Sequence, residues 1–158
     1  MAITVTTDPT AKDLDEIIRL LNETDELTPR SKASLKSNKI AIARDENKIV
    51  GWLISEHLCS NVYEIGGAYI HPSYRRQGIF SRLIDELTLK NQTYVVASYS
   101  PYIINHFCNN HGYHKSSLLE ITSLSRGKFI TKRVHSCLRV ASHLAKRQAI
   151  YIVRLAKK

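Results

Sequence analysis

The residues from Ala68 to Leu83 have the composition of a site that holds an anion. An apolar stretch ends at a proline, a polar and basic loop follows, and Gly78 stands directly before residues with helical spacing. Such an arrangement directs the backbone N–H groups of a helix's first turn, and the positive end of its dipole, at one point. A glycine there permits close approach, because it has no side chain. The segment therefore predicts a phosphate-binding turn, with Arg75, Arg76 and Arg82 adding positive charge at its rim.

Charge is the second chemical feature of the chain. The 158 residues include 23 Lys or Arg and 14 Asp or Glu, for a net charge of +9. Ten of the basic residues and none of the acidic ones fall between Ser123 and Lys158, which leaves 13 basic against 14 acidic residues in the first 122. The excess charge is therefore confined to the last quarter of the chain. It favours a polyanionic partner, with a solubility effect as the alternative explanation.

Residues 131–147 concentrate this charge on one side of a predicted amphipathic helix. Apolar residues such as Val134, Leu138 and Leu144 recur at helical spacing, and the basic residues fall on the opposite side. A continuous basic ridge suits the phosphates of DNA or RNA, whereas an acidic membrane surface is a weaker alternative because the apolar side lacks bulky aromatic residues. A solvated face without a partner is the third interpretation. The residues predicted to bind nucleic acid are Lys132, Arg133, Arg139, Lys146 and Arg147.

The spacing of apolar residues predicts a mixed α/β chain that positions these features. Thr10 and Asp13 resemble a capping box at the start of a helix, and one strand–helix–strand crossover occupies the middle of the chain. The predicted strands cover residues 3–6, 39–43, 48–55, 63–71, 93–98, 113–122 and 149–155, and the predicted helices cover residues 10–21, 25–37, 78–87 and 101–111.

Several classes of protein are disfavoured. No run approaches the ~18 apolar residues of a membrane span, and the N-terminus lacks the charged and apolar stretches of a secretory signal. Cys59, Cys108 and Cys137 are widely spaced, and the histidines show no metal-ligand spacing, so neither a disulfide framework nor a metal site is expected. We therefore expect a cytoplasmic protein with a single domain over residues 1–158.

The anion-binding segment resembles the coenzyme A-binding motif of the GNAT superfamily of N-acetyltransferases. That motif reads Q/R-x-x-G-x-G/A after a strand that ends in hydrophobic-x-Pro. Arg75 and Gly78 match it, whereas Phe80 stands where Gly or Ala is usual. We expect Phe80 either to crowd the turn or to point into the core as the helix begins. A second segment, Phe107 to Tyr113, is similar to the family's F-Y-x-x-x-G-F signature.

The resemblance implies a fold and a cofactor. The fold is a central mixed sheet of six to seven strands flanked by helices, with residues 123–148 as an enlarged basic helical connection before the last strand. The cofactor is acetyl-coenzyme A, whose diphosphate is held by backbone N–H groups and whose pantetheine arm pairs with the preceding strand. The residues implied in cofactor binding are Tyr69, Ile70, Arg75, Arg76, Gln77, Gly78, Ile79, Phe80 and Ser81.

Transfer of an acetyl group to an amine needs an uncharged amine and a proton for the departing thiolate. An alkyl ammonium has a pKa of ~10.4, so a base assists at neutral pH. Glu64 lies where some relatives carry such a base, and an ordinary carboxylate at a strand edge is the alternative interpretation.

The residue aligned with the family's proton-donating Tyr is Cys108, and thiols, whose pKa is ordinarily ~8.5, can donate a proton. The alternatives are that Cys108 is only a small buried apolar residue, or that Phe107, which cannot donate, takes the position of the Tyr. Tyr102, His106 and Tyr113 lie close by in sequence and are alternative donors.

Three functions fit these features. The first is an N-acetyltransferase whose amine is attached to or surrounded by nucleic acid, such as a charged tRNA, a modified base or a nucleoprotein. The second is acetylation of a small amine or antibiotic. The third is a GNAT-like module that binds nucleic acid without catalysis, which Phe80 and Cys108 favour because they depart from the family pattern. We expect the first of these functions.

Overall fold

The computed structural model of the protein describes residues 3–23, 30–132 and 149–157. Two predictions fall wholly or partly outside these ranges. They are the first part of the helix over residues 25–37 and most of the basic helix, including Arg133, Arg139, Lys146 and Arg147.

Strands and helices alternate along the described residues. The strands are β1 (Ile3–Thr6), β2 (Lys39–Asp45), β3 (Lys48–Cys59), β4 (Val62–Ile70), β5 (Thr93–Ser98), β6 (His114–Ser116) and β7 (Ile150–Arg154). The helices are α1 (Ala11–Glu23), α2 (Lys32–Lys36), α3 (Ile79–Leu87), α4 (Pro101–His111) and α5 (Leu118–Leu124), and residues 128–132 are also helical.

The seven strands form one sheet in the order β1-β2-β3-β4-β5-β7-β6. β1 with β2, β2 with β3, β5 with β7 and β6 with β7 pair antiparallel, whereas β4 and β5 pair in parallel. Parallel neighbours need a long crossover, which here contains α3. The predicted mixed α/β fold with a central crossover is therefore confirmed.

The chain divides into two compact units. The first comprises Met1–Glu56 and Gly66–Leu89, and the second comprises His57–Ile65 and Lys90–Lys158. The boundary crosses β3 and β4, so each of these strands contributes residues to both units. The single domain over residues 1–158 stays a prediction.

The core of the first unit lies between its helices and strands. One face of α1 is buried because apolar residues recur at intervals of three and four, and each such buried side chain contributes about 1.5–3 kcal/mol relative to exposure. The buried cluster consists of Leu14, Ile17, Leu21, Leu35, Ile40, Ile42, Ile49, Trp52 and Ile54.

The predicted capping box at the start of α1 is confirmed. The backbone N–H of Thr10 donates to Asp13 Oδ2 at 2.6 Å, and the backbone N–H of Asp13 donates to Thr10 Oγ1 at 3.3 Å. Arg44 Nη2, from β2, lies 2.6 Å from the same Asp13 oxygen. The cap therefore also joins the helix to the sheet.

The second unit has its own core, built around β5 and β7. β5 is buried from Thr93 to Val96, as predicted for a strand covered on both faces. β7 pairs with it through Val95 and Val153. The buried cluster consists of Leu58, Val62, Val95, Ile121, Phe129 and Val153.

Helix α4 begins and ends at the residues that the sequence predicts. The Ser100 side chain accepts a hydrogen bond from the backbone N–H of Ile103, and Pro101 occupies the first turn. Gly112 ends the helix with φ of 70°, a left-handed conformation that other residues adopt only at a cost.

The predicted strand over residues 113–122 is wrong beyond its first residues. β6 covers only His114–Ser116, and α5 begins at Leu118. Ser117 caps this helix by accepting a hydrogen bond from the backbone N–H of Glu120 at 3.1 Å. A Ser followed three residues later by Glu is a helix-start signal, and it outweighs the strand preference of the β-branched residues that follow.

The capping carboxylate of α1 makes stability depend on pH. Burial by itself raises the pKa of Asp13, but hydrogen bonds from Thr10 and the pairing with Arg44 outweigh burial and lower the pKa. A carboxyl group with a lowered pKa stabilises the folded state above its unfolded pKa of about 4. That contribution is lost as the pH falls through the lower pKa of the folded state.

We expect Asp13→Asn to lower the free energy of unfolding by about 1–2 kcal/mol at pH 7, because the cap and the ion pair are weakened together. The difference from wild type should shrink as the pH falls below about 4. Urea unfolding at pH 7 and pH 3 measures both effects. The control is Asp15→Asn, which removes an exposed carboxylate of the same helix and its surface ion pair with Lys32 and should cost less than Asp13→Asn, under about 1 kcal/mol. An Asp13→Asn cost that is equal at both pH values would contradict the ionic contribution.

Candidate functional site

The predicted phosphate-binding turn connects β4 to α3 in the first unit. The backbone N–H of His71 donates to Val50 O at 2.8 Å, which fixes the end of the strand beside β3. Pro72–Tyr74 then forms a 3-10 turn, and Arg76 has a left-handed backbone with φ of 64°. This segment, from His71 to Gly78, is called the cofactor turn below.

Gly78 lies at the start of α3 with φ of 72° and no side-chain cap. A Cβ atom placed on it would meet no atom of the described residues within 4 Å. Packing within the described part of the chain therefore leaves this side of the turn open. The conformation still favours glycine, because a left-handed backbone costs other residues roughly 1–2 kcal/mol. The geometry is that of an open helix N-terminus, as the sequence predicts for an anion site.

The three arginines of the site are exposed, and two of them are held by backbone carbonyl groups. Arg75 Nε donates to Ile70 O at 3.1 Å, and Arg82 Nη2 donates to Ile3 O at 2.8 Å. These contacts fix positive charge at both sides of Gly78. Arg75 and Arg82 thus position the turn as well as charging its rim.

The residues that follow Gly78 differ in burial. Ile79 is 2% exposed and belongs to the buried face of α3, whereas Phe80 and Ser81 are half-buried. The sequence left two roles open for Phe80, crowding the turn or packing in the core. Its partial exposure places it outside the fully buried face of α3.

The strand before the turn contributes half-buried residues. Tyr69 and Ile70 end β4, and the Tyr69 ring stacks on Trp52 with centroids 4.4 Å apart. The Tyr69 side chain is engaged in this contact, which is compatible with the prediction that Tyr69 pairs with the pantetheine arm through its backbone.

The predicted catalytic residues lie in the second unit. Glu64 is half-buried in β4 and stands opposite Val95 of β5 in the parallel ladder. On α4, Tyr102 is 74% exposed, and Cys108 is a half-buried free thiol. His106 shares a helix face with Tyr102, four residues away.

Two further titratable side chains in this part of the sequence, His106 and Tyr113, have shifted pKa values. Burial lowers the pKa of His106, and its Nδ1 lies 3.3 Å from Asn110 Nδ2. A neutral His106 at pH 7 suits a proton acceptor better than a donor. Burial raises the pKa of Tyr113, whose hydroxyl has no hydrogen-bond partner among the described residues. Its phenol is therefore a weak proton donor.

All predicted cofactor residues belong to the first unit, and all predicted catalytic residues belong to the second. Within the first unit, the structure adds three residues that the sequence does not single out, namely Tyr74, Asp45 and Ile3. Tyr74 donates to Asp45 Oδ2 at 2.8 Å, and Ile3 accepts from Arg82. No local signal reveals these contacts, since the partners are 29 and 79 positions apart.

The described residues contain neither a candidate metal site nor a candidate membrane-spanning helix. No group of three or more His, Cys, Asp or Glu side chains there is arranged to hold a metal ion. None of the helices in the same part of the chain has both the length and the apolar character for a membrane crossing.

The sequence matches the model of the acetyltransferase (GNAT) family over residues 11–93. These are 83 of the 158 residues, more than half of the chain, and they include the whole cofactor turn. The chain therefore belongs to the acetyltransferase (GNAT) family, and the predicted acyltransferase class is confirmed. A sequence comparison with curated proteins finds no match.

Solved structures with a similar fold are also acetyltransferases. N-acetylglutamate synthase from Neisseria gonorrhoeae, complexed with coenzyme A and N-acetylglutamate, has a TM-score of 0.69 and 14% identity over 100% of this chain and 36% of that one. The chain thus spans about a third of that synthase. A GNAT-family acetyltransferase from Staphylococcus aureus Mu50 has a TM-score of 0.65 and 16% sequence identity, over 99% of this chain and 100% of that one. The ribosomal-protein-S18-alanine N-acetyltransferase from Escherichia coli has a TM-score of 0.64 and 12% sequence identity, over 99% of this chain and 96% of that one. At these identities the likeness concerns the fold alone.

We expect Gly78→Ala to weaken coenzyme A binding at least tenfold, because the new methyl group would stand where the phosphate approaches and the backbone would leave its left-handed conformation. Isothermal titration calorimetry measures the affinity. Gly112→Ala is the matched control, since Gly112 has φ of 70° and equally open space around its Cβ position. Both variants should lose about 1 kcal/mol of stability, and only Gly78→Ala should lose affinity. Equal affinities would contradict a phosphate site at Gly78.

Proposed function

We propose that the protein is an acetyl-coenzyme A-dependent N-acetyltransferase that binds the cofactor's diphosphate at the start of α3. The observation that carries this proposal is the open, left-handed backbone at Gly78, flanked by fixed arginines, in a chain of the acetyltransferase (GNAT) family. In our proposal the backbone N–H groups from about Arg76 to Ser81 bind the phosphate oxygens. The backbone of Tyr69 and Ile70 binds the pantetheine arm.

The chain's residues supply binding and proton transfer. The uncharged amine attacks the thioester carbonyl, a C–N bond forms, and the C–S bond breaks to release the thiolate of coenzyme A. We assign to Glu64 the removal of the amine's proton, directly or through water, because an ammonium group with a pKa of ~10.4 is almost wholly charged at pH 7. The thiolate takes a proton from Cys108, Tyr102 or solvent. His106 is a poorer donor because burial lowers its pKa.

The acceptor is an amine, and the charge distribution favours one that is associated with nucleic acid. Ten basic residues and no acidic ones lie after Thr122, and such a region attracts phosphates. Two of the structural neighbours have names that point to quite different products, N-acetylglutamate in one case and an acetylated ribosomal protein in the other. The alternative within the same activity is a small amine or antibiotic. The alternative in another class is a nucleic-acid-binding module without catalysis.

We expect wild-type protein to bind acetyl-coenzyme A in calorimetry and to release free thiol when a suitable amine is added. Glu64→Gln should lower kcat by about 10²-fold or more at pH 7 and leave the affinity for acetyl-coenzyme A unchanged. Its rate should rise with pH, as the fraction of uncharged amine increases. Thiol release followed with a chromogenic disulfide measures the rates.

The control for this experiment is Glu86→Gln, which removes an exposed carboxylate from α3. It should keep the wild-type rate and pH profile. No binding of acetyl-coenzyme A at millimolar concentration would contradict the enzyme proposal and favour the inactive module. Binding together with an unchanged rate in Glu64→Gln would contradict only the role of Glu64.

A salt series with tRNA and with duplex DNA tests the nucleic-acid association. We expect the logarithm of the affinity to fall linearly with the logarithm of salt concentration, and the slope to decrease by about two when Arg133 and Arg139 are both changed to Gln. Lys12→Gln with Lys36→Gln, two exposed lysines of the first unit, is the control of equal charge. Absence of binding at low salt would leave the small-amine acceptor as the better interpretation.

A further inference from the structure

The cofactor turn is fastened to a buried carboxylate outside the turn. Tyr74, the last residue of the 3-10 turn, donates its hydroxyl proton to Asp45 Oδ2 at 2.8 Å. Asp45 is the last residue of β2 and is only 8% exposed. A buried carboxylate is costly unless it accepts hydrogen bonds, so the phenol is chemically matched to this position.

Other side-chain hydrogen bonds of the turn stay local. The backbone N–H of Ser73 donates to His71 Nδ1 at 3.3 Å, Arg75 Nε donates to Ile70 O at 3.1 Å, and Gln77 Nε2 donates to Ser73 O at 3.3 Å. Such bonds shape the turn and its junction with β4. They do not fix its distance from the strands at the other side of the unit.

A second contact fastens the segment that follows Gly78 to the same end of the β1–β2 ladder. Arg82, in the first turn of α3, donates from Nη2 to Ile3 O at 2.8 Å. Ile3 and Asp45 are register partners in the β1–β2 ladder. The segment before Gly78, through Tyr74, and the segment after it, through Arg82, are therefore fastened to one residue pair.

We propose that Tyr74 and Arg82 are positioning residues for the cofactor's diphosphate, because they hold both sides of Gly78 to the Ile3–Asp45 pair and so set the spacing of the phosphate-binding N–H groups. This inference rests on the proposed function. In this role the Tyr74 hydroxyl acts through the backbone and does not contact the cofactor. The hydrogen bond to Asp45 also raises the pKa of Tyr74, so the hydroxyl remains a donor at neutral pH.

The spacing matters because hydrogen bonds weaken steeply when distance and angle depart from their best values. A turn released from Asp45 would sample other conformations, and the apparent affinity would fall by the fraction of molecules that remain competent to bind. Loss of one hydrogen bond to a charged group corresponds to about a tenfold change. The effect should fall on the diphosphate and spare the pantetheine arm.

Tyr74→Phe tests the inference most directly. It keeps the ring, which contacts His71 edge-on with centroids 5.7 Å apart, and removes only the hydroxyl. We expect the Kd of coenzyme A and the KM of acetyl-coenzyme A to rise about tenfold, with kcat within about twofold of wild type. The kcat/KM for acetyl-pantetheine, which lacks the diphosphate, should not change. Calorimetry and thiol release measure the two sets of values.

Substitutions of Asp45 test whether an acceptor oxygen at this position preserves binding, and whether Tyr74 acts through Asp45. Asp45→Asn keeps an acceptor oxygen and should bind coenzyme A within about threefold of wild type, whereas Asp45→Ala should weaken binding as Tyr74→Phe does. In the Asp45→Ala background, Tyr74→Phe should cause no further loss. If Asp45→Ala does not fold, the comparison of acetyl-coenzyme A with acetyl-pantetheine in Tyr74→Phe still tests the positioning role. Tyr99→Phe, at a 43% exposed tyrosine of the second unit, is the control and should match wild type.

The outcomes separate this inference from the proposed function. Wild-type protein that does not bind coenzyme A overturns the proposed function and, with it, the inference. Wild-type binding with an unchanged Kd in Tyr74→Phe overturns the positioning role alone. Equal losses with acetyl-coenzyme A and acetyl-pantetheine also overturn it, because they indicate a general structural effect.

Discussion

At Gly78 the backbone turns left-handed, with φ of 72°, and α3 begins with its first N–H groups beside open space. An L-residue at this φ would cost roughly 1–2 kcal/mol, and any side chain would occupy the approach to the helix. The residues around Gly78 hold this conformation from both sides. β4 ends against β3 before it, and the buried face of α3, with Ile79, Leu83 and Leu87, holds the helix after it. The candidate cofactor site exists because a rigid strand and a rigid helix meet at one residue without a side chain.

The end of β2 organises the first unit through two adjacent residues. Arg44 pairs with Asp13, which caps α1, and Asp45 accepts the hydroxyl of Tyr74 from the cofactor turn. Successive residues of a strand point to opposite faces of the sheet, so one strand end serves a helix on one side and the turn on the other. Buried carboxylates need such partners. Polar contacts of this kind fix the orientation of elements that apolar packing alone would hold less specifically.

Most elements were predictable because their signals are local. Pro72 ends a strand, Ser100 and Gly112 bound α4, and a polar turn separates β2 from β3. The error in residues 113–122 also has a local cause. The strand prediction followed the β-branched residues, whereas the capping signal of Ser117 and Glu120, also present in the sequence, begins a helix. The position of β7 between β5 and β6 has no local signal. It depends on which edge of β5 is available for pairing.

The features of the candidate site also fall into two groups, those with a local signal in the sequence and those without one. The types and spacing of Arg75, Gly78 and the apolar positions of α3 determined by themselves that a strand–turn–helix with an open helix N-terminus would form, because backbone geometry and helix dipoles act within about ten residues. Tertiary structure alone decided that Tyr74 meets Asp45, that Arg82 meets Ile3, and that Tyr113 is buried with its hydroxyl unpaired among the described residues. These contacts join residues far apart in sequence. Their partners are set by sheet register and packing, which no short stretch of sequence encodes.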